Sequence, residues 1–108
     1  CHPWRMRKLL LLLPALALAW SVPSAHAFDM EAEAGRLAAE DFNQAVLNAR
    51  KFAEIKHYEM FCKSIFRAEQ EITTWFAAIQ KHDPEMDVFK ARQQAKQSAD
   101  SCRESGYY

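Results

Sequence analysis

The sequence predicts an all-α fold: a small three-helix bundle built on an antiparallel helical hairpin that a disulfide joins. Three observations support this prediction. No Gly or Pro interrupts the chain between Gly35 and Pro84, and the residues in between favour helices. Apolar residues recur at spacings of three and four, without the alternation that is typical of strands. Finally, Cys62 and Cys102 lie at equal distances from His82.

The first 27 residues are predicted to be a secretory signal peptide. Basic residues precede an apolar run at 9–20, and Ala-His-Ala ends the segment, which is the order of elements in such peptides. The run is shorter than the roughly 20 residues that a membrane-spanning helix needs. We therefore expect cleavage after Ala27, with residues 1–5 as extra sequence before a start at Met6, and no stable membrane anchor in the product.

Residues 28–108 are predicted to form a single small helical domain that is periplasmic or secreted. Without residues 1–27 the chain has 81 residues with 11 Lys plus Arg and 14 Asp plus Glu, a formal charge of −3. A chain of this size buries only about 60% of the surface that its unfolded form exposes, so it needs covalent or quaternary support. The charge balance gives no reason to expect a nucleic-acid partner.

The first helix is expected over Met30–Glu54, with a narrow, alanine-rich apolar face. A second helix is expected over about Tyr58–Lys81, apolar over about half its circumference. At about 100° per residue the two faces point in different directions, so we expect the chain to reverse near residues 54–58. Because no Gly or Pro marks this reversal, the alternative is one long helix over about 30–81 plus one shorter helix.

The last helix is expected to begin at Pro84 and to end near Arg103. Asp83 is the predicted N-cap. Pro84 suits the first helical turn, because the N–H that proline lacks would have no acceptor within the helix there. The residues expected on its apolar side are Met86, Phe89, Ala95, Ala99 and Cys102.

Cys62 and Cys102 are predicted to form a disulfide across the hairpin. Facing positions in an antiparallel hairpin have a nearly constant sum of residue numbers, and the sum for the cysteines also pairs Ile65 with Ala99. Within one residue, the same sum pairs Phe76 with Phe89 and Ile79 with Met86. The bond would close a loop of about 41 residues, which contributes about 4 kcal/mol in the chain-entropy estimate. A redox-active pair is disfavoured because such cysteines usually occur as C-x-x-C.

The residue types give little support for catalysis or for a bound cofactor. The chain lacks the G-x-S-x-G, H-E-x-x-H and C-x-x-C-H patterns, which serve a serine nucleophile, zinc and covalent haem respectively. We therefore expect neither an enzyme nor a cofactor. The alternative is a carrier of a metal, haem or another ligand through His57, Met60 or His82.

The second predicted helix carries aromatic side chains of the kind that dominate protein interfaces. We take Phe61, Phe66 and Trp75 as candidate partner-binding residues; the alternative is that Phe61 and Trp75 complete the core against the first helix. The expected function is protein–protein binding by an exported accessory, inhibitor, immunity or chaperone-like factor. Its partner would be an unknown envelope protein or a second copy of the chain.

Overall fold

The structure is a computed structural model that describes residues 29–108. It contains four helices, α1 (Met30–Glu54), α2 (Tyr58–Thr74), α3 (Phe76–His82) and α4 (Val88–Glu104). No strand is found among these residues, and the all-α prediction is confirmed for them. The predicted signal peptide and its cleavage point lie outside the described residues.

The first helix has the predicted bounds and ends in a reversal of the chain. After α1, Lys56 adopts a left-handed conformation with φ 57°. Its N–H donates to the carbonyl of Ala53, and the N–H of His57 donates to the carbonyl of Phe52, the two bonds of a Schellman motif. The alternative of one long helix over 30–81 is therefore wrong.

The predicted second helix is broken at Trp75, so the three predicted helices become four. Trp75 has φ −110° and ψ 25°, although its N–H still donates to Glu71 and its carbonyl still accepts from Ile79. The break is thus a bend in a helical path. It follows Thr73 and Thr74, whose branched side chains have low helix propensity.

The last helix begins four residues later than predicted. Residues 83–87 form a turn, and the carboxylate of Asp87 caps α4 by accepting a hydrogen bond of 3.0 Å from the N–H of Lys90. Asp83, the predicted cap, instead follows the end of α3. The apolar side of this helix also differs from the prediction. Phe89, which was predicted to lie on it, is 53% exposed, whereas Val88 is buried with 1% of its surface exposed.

The C-terminal end of α4 is also a Schellman motif. Gly106, with φ 88°, donates to Arg103, and Tyr107 donates to Cys102. This motif turns Tyr107 back onto the apolar cluster around the disulfide.

The disulfide joins α2 to α4 as predicted, with a distance of 5.7 Å between the Cα atoms of Cys62 and Cys102. Ile65 and Ala99 lie in the same buried cluster as the cysteines, which confirms the predicted register at this end of the hairpin. Beside this cluster the guanidinium of Arg103 donates to a carboxylate oxygen of Glu69 at 3.0 Å. This hydrogen bond raises the pKa of Arg103.

The middle of the molecule is the α2–α3 pair, which packs against α1 on one side and α4 on the other. The backbones of α1 and α4 do not approach each other within 8 Å. The main core cluster fills the space near α2 and α3 with alanines, branched side chains and one phenylalanine: Ala38, Ala39, Phe42, Ala45, Ala68, Ile72, Ile79, Val88 and Ala95. The bundle is therefore open along one edge.

Candidate functional site: an apolar groove between α1 and α4

The open edge of the bundle is an apolar groove of about 490 Å³. Its floor is the surface of α2 at Ile65 and Ala68, and its walls are α1 and α4. The apolar wall residues are Phe42, Val46 and Leu47 on α1 and Ala91 and Ala95 on α4.

The bottom of the groove is formed by the core, since Phe42 and Ala95 are buried there with 6% and 7% of their surface exposed. The groove remains open above them, where the half-buried Val46 on α1 and Ala91 on α4 face it. Leu47 stands at the rim with 47% of its surface exposed. Exposed apolar side chains in a concave surface are typical of a binding site.

The polar groups of the groove are few and lie at its rims. Asn43 on α1 and Gln94 and Ser98 on α4 supply neutral hydrogen-bonding groups, and Arg50 is the only charged lining residue. Within residues 29–108 the arginine ion pairs involve Arg36, Arg67 and Arg103, and not Arg50. The Arg50 guanidinium is therefore available to a carboxylate from outside.

The structure separates the three aromatic residues that were predicted to bind a partner. Phe61 and Phe66 are half-buried and pack against the disulfide cluster, together with Tyr107. Trp75 is 41% exposed at the bend between α2 and α3, nine residues or about 14 Å further along the helical path. Binding through these residues stays a prediction, and they do not form one surface.

A second depression continues from the groove along α4 toward the disulfide. It has a volume of about 460 Å³ and is bordered by Phe61, Tyr58 and Tyr107 on one side and by serines of α4 and its C-cap on the other. Ser98 lines both depressions. One predicted residue, Phe61, is thus adjacent to the groove, at its disulfide end.

Of the residues suggested for a metal or haem carrier, His82 lies far from His57 and Met60. The Nδ1 atom of His57 accepts the N–H of Met60 at 3.4 Å at the start of α2, beside the C-terminal end of α1. His82 packs near Gly35, about 17 residues or 25 Å away along α1. No group of three or more His, Cys, Asp or Glu side chains in the described part of the chain is placed to hold a metal ion.

The groove residues on α1 were missed because the sequence argument followed only its alanine stripe. Relative to Leu37, that stripe lies at about 60–140° when each residue adds about 100°. Val46 lies just beyond its edge at about 180°, and Leu47 lies on the opposite side of the helix at about 280°. These apolar residues outside the stripe were the detectable signal of a face that the hairpin does not cover.

No protein-family model, curated protein or solved structure matches this chain. Among residues 29–108, no helix has the length and apolar character that crossing a membrane requires.

Proposed function

We propose that this protein is an exported helical module that acts by protein–protein binding, and that the groove between α1 and α4 holds its partner. The observation that carries the proposal is the open apolar edge of the bundle, where two helices flank a third and their own backbones stay more than 8 Å apart. A bundle with such an edge is completed by one additional helix, because that helix would cover the exposed Leu47 and the half-buried Val46 and Ala91.

Export to a periplasmic or extracellular compartment is part of the proposal. It is supported by the predicted signal peptide at residues 1–27 and by the Cys62–Cys102 bond, since disulfides persist in oxidising compartments. In such a compartment the accessory, inhibitor, immunity and chaperone-like roles all require the protein to bind a segment of another protein.

Site-specific photocrosslinking tests this proposal in the envelope of the producing cell. A photoreactive amino acid at position 47 should give a discrete crosslinked product, because Leu47 stands at the groove rim. The matched control is position 37, since Leu37 lies on the same helix with nearly equal exposure, 46% against 47%, and does not line the groove. Equal crosslinking at both positions, or none at position 47, would contradict the proposal.

A further inference from the structure

We infer that the occupant of the groove is an amphipathic α-helix of a different protein, which turns bulky apolar side chains toward α4 and a carboxylate toward Arg50. This inference rests on the proposed function and specifies the chemistry of the partner.

The two walls of the groove differ in bulk, and this difference orients the occupant. The α4 wall presents the small, half-buried Ala91 and Ser98, whereas the α1 wall presents the half-buried Val46 and the exposed Leu47. Close packing pairs large side chains with small ones across an interface. The occupant therefore presents bulky residues to α4 and small residues to α1.

The spacing of the wall residues matches a helix. On α4, Ala91, Ala95 and Ser98 follow one another at four and three residues, and on α1, Val46 and Arg50 are four apart. Each wall thus repeats once per helical turn, over about 10 Å on α4 and about 6 Å on α1. An occupant that runs along the groove meets both walls best if its own side chains repeat with the same period.

The backbone of the occupant must also satisfy its own hydrogen bonds. The groove is walled by the middle parts of α1 and α4, whose backbone groups bond within their helices. An extended segment would find no backbone partners there, and unpaired peptide groups are costly away from water. A helix carries its hydrogen bonds internally and avoids this cost.

The charge of the groove favours a different protein over a second copy of this chain as its occupant. In a symmetric pair the same patch meets itself, so the two Arg50 guanidinium groups would be brought into one apolar interface. No carboxylate lines the groove to balance them. A partner helix with Asp or Glu at that position supplies the missing charge, and its apolar residues fill the rest.

Selection from a displayed library of helical peptides tests the inference, with the oxidised protein as the bait. Recovered peptides should share an apolar stripe of helical period and an acidic residue at one fixed position in that stripe. Selection on R50E should replace the acidic residue with Lys or Arg. Binding to L47D should fall at least about tenfold, the equivalent of 1.4 kcal/mol, while L37D should bind within about twofold of the unaltered protein.

Four results would overturn the inference: no preference for charge at any position, no change of preference with R50E, recovered peptides without helical period, or equal binding to L47D and L37D. Dimerisation that L47D abolishes in sedimentation analysis would identify a second copy as the occupant and would also overturn it. If crosslinking at position 47 succeeds while the charge preference fails, the proposed function stands and only this inference is lost.

Discussion

At the scale of single residues, Gly35 is a point of very close approach between α1 and α3. A Cβ atom at this position would overlap the carbonyl oxygen of Ala78 and would lie 3.3 Å from the Cβ atom of His82. The neighbour that it meets is backbone, which cannot move aside by changing a rotamer. Gly35 therefore serves helix packing, although glycine is a poor helix former.

We expect Gly35→Ala to destabilise the protein by about 1–3 kcal/mol, the usual range for overpacking a close contact. The helix-propensity gain of about 1 kcal/mol acts in the opposite direction, so the sign of the change reports directly on the contact. Urea unfolding followed by circular dichroism would measure it. Increased stability in this variant would show that α3 does not pack tightly on α1.

Arg36 joins two acidic residues on the surface of α1. It donates hydrogen bonds to Glu33 and, at 2.8 Å, to Glu40. The hydrogen bond from Arg36 lowers the pKa of Glu33 below its usual value, and burial opposes this only in part. A lowered carboxylate pKa stabilises the fold at pH values above the pKa of the unfolded state, about 4.5. That contribution disappears as the pH falls through the pKa of the folded state.

We therefore expect Glu33→Gln to lower the melting temperature slightly at pH 6 and by less at pH 3. Thermal unfolding at the two pH values would measure the difference, and high salt should reduce it because the pair is exposed to solvent. Arg36→Gln should show the same loss of pH dependence. An equal effect of Glu33→Gln at both pH values would contradict this assignment.

At the scale of the helices, the start of α4 depends on one capping side chain. The sequence offers two aspartates before this helix, and Asp83 with the following Pro84 has the pattern of a cap. The chain uses Asp87 instead, because residues 83–87 form the turn that reverses the chain between α3 and α4. Starting α4 at Val88 buries that side chain in the core.

Substituting each aspartate in turn tests which of the two caps α4. Asp87→Ala should cost about 1 kcal/mol of unfolding free energy, since it removes the acceptor for the N–H of Lys90. Asp83→Ala is the matched control and should cost clearly less, because no side-chain hydrogen bond of Asp83 is found in the described structure. Chemical denaturation of both variants would measure the difference, and a larger effect at Asp83 would contradict the observed cap.

The bend at Trp75 and the reversal at Lys56 show why helix ends were harder to predict than helix faces. Faces follow from the spacing of apolar residues, and this spacing predicted α1 and the pairing of α2 with α4. The reversal uses lysine at a position where glycine is usual, so no glycine marks it in the sequence. The bend lies in a run without Gly or Pro, and it places α3 against the N-terminal half of α1.

At the scale of the whole molecule, the disulfide is the only covalent link between α2 and α4 apart from the chain itself in the described region. It spans 40 residues of sequence and anchors the smaller of the two core clusters. The cross-link restricts the unfolded chain, and its contribution is large relative to the stability of so small a domain. It also holds the α4 wall of the groove in register with α2.

Cys62→Ser should lower the unfolding free energy by about 2–5 kcal/mol. The oxidised protein should weigh two hydrogens less than the reduced form by intact mass spectrometry. Treatment of the unaltered protein with a reductant is the control and should give a denaturation midpoint close to that of the variant. Identical midpoints for the oxidised and reduced proteins would mean that the bond contributes nothing to stability.

Local residue chemistry was sufficient to predict the helical class, the bounds of α1 and the Cys62–Cys102 pair, because apolar spacing and matching distances from a turn are properties of the chain itself. Tertiary packing settled the division of the middle helix, the use of Asp87 as a cap and the position of the groove. These depend on how close α1, α3 and α4 come to one another, and thus on the sizes of side chains far apart in the sequence. The groove in particular exists because α2 lies between α1 and α4, and the small residues of α4 leave the space open.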